Sequence, residues 1–149
     1  METSNGIDVA AAVAAGYAFK PLTAAERAAL IAAATAARYA DGEVIFREDE
    51  EGLELLLITA GRVRVSMLAA DGDVELAELG AGAIVGEVSV LMENRRTSTV
   101  TAVGEVEAIS FVADAVREVA ARNQAFKDLL RKLVEGRALH TISIAPPAR

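Results

Sequence analysis

The chain has no cysteine. That excludes disulfides, thiolate metal sites and cysteine nucleophiles, and it leaves the redox compartment unreadable from cysteine usage. Histidine is nearly as scarce: His140 stands alone with no second ligand type arranged around it. A metal-dependent jelly-roll enzyme needs several imidazoles and is ruled out, and His140 is read instead as a helix C-terminal residue interacting with the dipole. No apolar run approaches the ~20 residues of a membrane span, and Met1 opens no basic, apolar leader, so the expectation is a cytoplasmic protein without a membrane span. Net positive charge is also missing. At −7, with a pI near 4.8, the chain lacks the broad basic surface that nucleic-acid binding needs. No internal repeat, polar linker or helix-turn-helix module is legible.

What is present is one domain's worth of sequence, taken here as a single unit over 1–149. Met1 to Gly6 read as a frayed polar start and Ile7 to Ala15 as a short alanine-rich helix. A firmer helix opens at Thr23, where Thr23-Ala24-Ala25-Glu26 makes a capping box, and it is expected to run through Leu30, Ile31 and the alanines to Ala37. From about Gly42 to Val112 the pattern changes to short β-branched runs: Val44–Phe46, Leu53–Thr59, Arg62–Leu68, Val74–Leu79, Ser98–Val103 and Val106–Val112. Asp71-Gly72 signals a hairpin turn. Beyond Phe111 the period is helical again, with a break near Asn123 and an apolar stripe of Phe126, Leu129, Leu130, Leu133 and Val134. The predicted class is α+β: an antiparallel β-roll, jelly-roll-like, over about 42–112, flanked by N-terminal helices and by C-terminal helices over about 113–140.

The chemistry concentrates between Val85 and Val100. Gly86 lets backbone approach a ligand, the residues after it can open a helical turn whose N–H groups face an anion, and Arg96 supplies a forked cation. Glu87 repels phosphate. Beside such a site it makes sense as an acceptor for another group on the same ligand, such as a sugar hydroxyl. Phosphate with ribose means a nucleotide. A local arginine pair can hold a singly charged phosphate despite the acidic chain, because contacts at a few Å outweigh a global charge screened beyond ~8 Å.

These residues resemble a known family. Gly86-Glu87 with Leu91, followed by Arg96-Thr97-Ser98-Thr99-Val100, is similar to the phosphate-binding cassette of the cyclic nucleotide-binding domain. The likeness continues in Asp41 to Glu48, Leu56 to Val65 and Leu79 to Glu87, and covers about Phe19 to Leu139. The resemblance implies a cAMP or cGMP sensor that is not an enzyme and has no cofactor or metal. It implies Arg96 on the equatorial phosphate oxygen, Glu87 on the ribose 2′-hydroxyl, and the amides of Val88 and Ser89 facing phosphate. Thr97 and Ser98 would offer a hydroxyl and an N–H beside Arg96, and Thr97 could bond the guanine 2-amino group. Both nucleotides are expected to bind, with a lean to cAMP. The C-terminal helices would close over the base and relay the change to an output protein or a second copy of the chain.

Each residue also has an ordinary reading. Arg96 could be a surface arginine, Glu87 a carboxylate favoured by a helix N-terminus, and Thr97 or Ser98 plain strand residues. Arg95 is read as solvated, Asp49, Glu50 and Glu51 as an exposed turn, and the Phe126 stripe as core unless ligand orders it. The same fold with a dead pocket, acting only in interaction or oligomerisation, is the standing alternative.

Overall fold

The computed structural model describes residues 3–4, 7–86 and 95–132. The start is not frayed throughout: β1 (Thr3–Ser4) pairs antiparallel with β2 (Ile7–Asp8). Asp8 then caps α1 (Val9–Ala15), its carboxylate accepting the Ala11 N–H at 3.0 Å, which satisfies one of the orphan donors of the first turn. A 3-10 turn, Tyr17–Phe19, places Phe19 in the core at 1% exposure. The Thr23 capping box opens α2 (Ala24–Ala32) as the sequence predicts: Glu26 N–H donates to Thr23 Oγ1 at 3.1 Å and Thr23 N–H to Glu26 Oε1 at 3.0 Å.

The helix does not continue to Ala37. Ala34–Tyr39 is instead strand β3, paired antiparallel from Ala34↔Phe111 to Tyr39↔Val106. Alanine's helical preference amounts to tenths of a kcal/mol per residue over most alternatives. A ladder along an otherwise open sheet edge, with Ala36 buried, outweighs it.

Five further strands complete a six-stranded antiparallel sheet: β4 (Val44–Phe46), β5 (Glu54–Ala69), β6 (Gly72–Leu79), β7 (Ile84–Val85) and β8 (Thr99–Val112). β5 and β8 are each one long strand where the sequence reads as two. They pair with each other along their length and exchange outer neighbours halfway: β8 takes β4 and then β3, and β5 takes β7 and then β6. The register slips between Ile58 and Arg62. There Gly61 has φ +89°, and a Cβ on it would lie 2.2 Å from the Glu105 carbonyl oxygen, so the bend requires glycine. The β5–β6 hairpin turns at Ala70-Asp71, flanked by Ala69↔Gly72, one residue earlier than predicted.

β5 is buried on both faces between Leu55 and Ile58. Leu55 and Leu57 point to a helical layer with Phe19, Leu30, Phe111, Val116, Phe126 and Leu130. Leu56 and Ile58 point into the roll with Phe46, Val63, Val85, Val100 and Ala108. After β8, α3 (Ala113–Arg122) breaks at Asn123 as expected, and residues 124–132 are helical. Asn123 builds that break. Its Oδ1 accepts the Phe126 N–H at 3.0 Å, and its Nδ2 donates to the Pro21 carbonyl at 3.1 Å and to Glu26 Oε1 at 2.7 Å. Of the apolar stripe, Phe126 and Leu130 are fully buried, Phe126 stacking 6.3 Å from Phe19. Leu133, Val134 and His140 lie outside the described residues.

Candidate functional site

Gly86 follows β7 directly and takes φ +92°, a conformation that L side chains rarely adopt. Space is as restrictive as backbone there. A Cβ at residue 86 would meet Arg96 Nη1 at 2.6 Å, the Glu54 carbonyl oxygen at 2.9 Å and Phe46 Cε2 at 3.1 Å. Within the protein itself, this glycine makes room for the arginine. Glu87, Val88 and Ser89 lie outside the described residues.

Arg96 precedes β8 and is 6% exposed, so it is no surface arginine. Its Nη2 donates to the Glu54 carbonyl at 2.8 Å and its Nη1 to the Gly86 carbonyl at 3.4 Å. Its guanidinium carbon lies 3.5 Å from the centroid of the Phe46 ring, within cation–π range. Carbonyl oxygens carry only partial charge. They orient the guanidinium by accepting from its N–H donors.

The main chain on either side of the guanidinium is pinned as well. Arg96 N–H donates to the Glu50 carbonyl at 2.7 Å, and its own carbonyl accepts the Asp49 N–H at 2.9 Å. Arg95 is exposed, in agreement with its solvated reading, and Nη1 donates to the Asp49 carbonyl at 2.8 Å. The acidic turn is thus more than a solvated loop: its backbone clamps the Arg95-Arg96 segment. Asp49 adopts φ +75°, alone among the described non-glycine residues in having positive φ. Aspartate tolerates that region better than most side chains because its short polar side chain bonds locally.

Thr97 is exposed and Ser98 half-buried, so both sit next to the arginine, as the sequence places them. A cavity of about 390 Å³ is lined by Glu48, Asp49, Leu68, Arg96 and Thr97. Its two carboxylates repel an anion, and Glu48 is occupied structurally, accepting the Leu68 N–H at 2.9 Å while its own N–H donates to Thr99 Oγ1. This cavity is therefore a poor phosphate site despite bordering Arg96. The side chain of Glu54, whose carbonyl holds Arg96, accepts a hydrogen bond from Ser110. Burial, with the carboxylates of Glu54 and Glu43 nearby, pushes the Tyr39 phenol up to about 12. Among the described residues no three His, Cys, Asp or Glu side chains are grouped to hold a metal ion.

Phe46 and Glu54 are the members of this site that sequence reasoning missed. Phe46 reads only as the end of a short strand, and the Glu54 contribution is a carbonyl, which no side-chain pattern reveals.

Comparison with known proteins bears on this geometry. The model of the cyclic nucleotide-binding domain matches residues 36–123, more than half of the chain. The CRP-like cAMP-activated global transcriptional regulator of Mycobacterium tuberculosis is 36% identical over 94 residues, which is 62% of this chain and 42% of the regulator. The regulatory domain of Toxoplasma gondii PKA with cAMP superposes with a TM-score of 0.78 at 19% identity, over 85% of this chain and 48% of that one. The regulatory subunit of a cAMP-independent protein kinase A from Trypanosoma cruzi, bound to guanosine, gives a TM-score of 0.76 at 24% identity, over 84% and 44% of the two chains. The chain spans less than half the length of the curated relatives it matches first. With the antiparallel roll, the flanking helices and the family match in agreement, the chain belongs to the cyclic nucleotide-binding domain family.

Proposed function

We propose that this chain is a cytoplasmic sensor of cAMP or cGMP, a single domain over 1–149 that binds the nucleotide without chemistry on it. The observation that carries the reading is the burial of Arg96. The Glu54 and Gly86 carbonyls and the Phe46 ring hold its guanidinium at the end of β7, next to the glycine that opens the cassette, which is where a phosphate ligand would need it. Arg96 would take the cyclic phosphate, Glu87 the ribose 2′-hydroxyl, and the amides of Val88 and Ser89 the remaining phosphate oxygens, with Gly86 leaving room for the ligand. Thr97 and Ser98 would flank the base and phosphate.

The response is a population shift. Nucleotide stabilises whichever arrangement of the C-terminal helices makes the better contacts with it. Phe126 and Leu130 are anchored in the helical core, which favours movement of α3 and 124–132 as a packed unit over the melting of a loose lid. Hydrogen exchange over Phe126 to Lys132 with and without nucleotide separates the two. An output protein or a second copy of the chain reads the movement.

A second reading is supported by the guanosine-bound, cAMP-independent neighbour: the same fold, used for interaction or for a different ligand. Arg96→Ala set against Arg95→Ala tests the first reading. Truncating a buried charge partner costs about 2–5 kcal/mol, or roughly 30- to several-thousand-fold in affinity, whereas the exposed arginine should matter little. Equal losses in two folded variants would reject Arg96 as the phosphate ligand.

A further inference from the structure

We propose that Phe46 is a positioning residue of the anion site, its ring face holding the Arg96 guanidinium in place before any ligand arrives. A guanidinium is planar, so it can be held by hydrogen bonds in its plane and by stacking on its face. In this chain both are used at once. The Glu54 carbonyl takes Nη2 in the plane at 2.8 Å, and the Phe46 ring lies 3.5 Å from the guanidinium carbon on the face. Gly86 is the point where the three groups converge, because a Cβ there would touch Arg96, Glu54 and Phe46 together.

The sequence aims Phe46 at this spot through an irregularity. Val44 pairs with Thr101 and Phe46 with Val100, so two residues of β4 oppose one of β8. Such a bulge re-aims a side chain, and Phe46 is turned into the roll at 4% exposure. A leucine would fill much of that volume. It would not supply the negative ring face that attracts a buried cation. An arginine restrained in advance gives up less conformational freedom on binding than one that must be ordered by the ligand.

The affinity half of this inference rests on the cyclic-nucleotide reading, and the positioning half does not. The experiment therefore has two readouts on wild type and Phe46→Leu. The first is the side-chain Nε–H resonance of Arg96 in the ligand-free protein, assigned by its loss in Arg96→Lys. In wild type it should be shifted by the ring current and slow to exchange with water; in Phe46→Leu it should move to the position of the exposed arginines. The second is affinity for cAMP and cGMP, expected to fall roughly three- to thirty-fold, the range of a partly to well desolvated cation–π contact. An Arg96 signal unchanged by the substitution overturns the proposal, as does unchanged affinity once the signal has moved. If wild type binds neither nucleotide, the cyclic-nucleotide reading fails and the resonance alone decides whether Phe46 positions Arg96. Should Phe46→Leu not fold, Phe46→Met, which lacks the ring but keeps comparable bulk, is read in the same way.

Discussion

The two faces of β5 bury cores of different kinds. On the helical side Phe19, Phe111 and Phe126 meet Leu30, Leu55 and Leu130 in an apolar cluster. On the roll side the same strand faces smaller side chains, one phenylalanine and the guanidinium of Arg96. The first core resembles an ordinary protein interior. The second carries a charge that a purely structural core would avoid. A domain that keeps its hydrophobic stabilisation on one face of a strand can tolerate an expensive group on the other, and under the proposed function that second face is the one that meets ligand.

The two cores should differ most visibly at Phe126. Phe126→Ala on the helical side should cost about 3–5 kcal/mol of stability, read as a lower urea midpoint, while the fraction still folded keeps its nucleotide affinity. A selective loss of affinity with little change in stability would show that the helical core belongs to the binding site. Gly86→Ala should do both kinds of damage. Strained backbone and a clash with Arg96 Nη1 should cost about 1–3 kcal/mol in stability, and displacement of the arginine should weaken binding as well. A variant with wild-type melting and wild-type affinity would show that the Gly86 geometry is not needed.

A smaller effect sharpens the contrast within the site itself. Thr97→Ala, at an exposed position, should leave the melting temperature alone and lower cGMP affinity by about one hydrogen bond, ~0.5–1.5 kcal/mol, with cAMP nearly unchanged. An equal fall for both nucleotides would place Thr97 on the shared phosphate.

The smallest prediction concerns pH and lies wholly on the helical side. The Thr23 N–H first, and then the Asn123 amide, hold the Glu26 carboxyl below its usual value. A depressed carboxylate pKa favours the folded state above the unfolded value, near ~4.3, and that contribution is lost as pH falls through the folded value. Glu26→Gln should therefore show a shallower loss of stability on acidification through this window than wild type, with nucleotide affinity at neutral pH unaltered. Identical acid transitions in the two proteins would remove Glu26 from the acid response.

Legibility in the sequence followed how local each signal was. The Thr23 capping box, the break at Asn123 and the conjunction of Gly86 with Arg96 are written in residues close together, and they could be read directly. β3 was hidden because Ala34 to Ala37 favour a helix on their own and become a strand only against β8, some seventy positions away. Likewise β5 and β8 read as two strands each because Gly61 and Gly104 look like turns, whereas here they bend continuous strands. Phe46 was invisible for the same reason as β3. Its partner is a side chain fifty positions on, and only the folded roll brings them together.

Calorimetric titration of the wild-type chain with cAMP and with cGMP, using the non-cyclic 5′-AMP as control, decides whether the domain is a cyclic-nucleotide sensor. Both cyclic nucleotides should give a saturable one-to-one isotherm, and 5′-AMP a much weaker response. Absence of binding heat for either cyclic nucleotide at several temperatures, with the protein folded, would contradict that role.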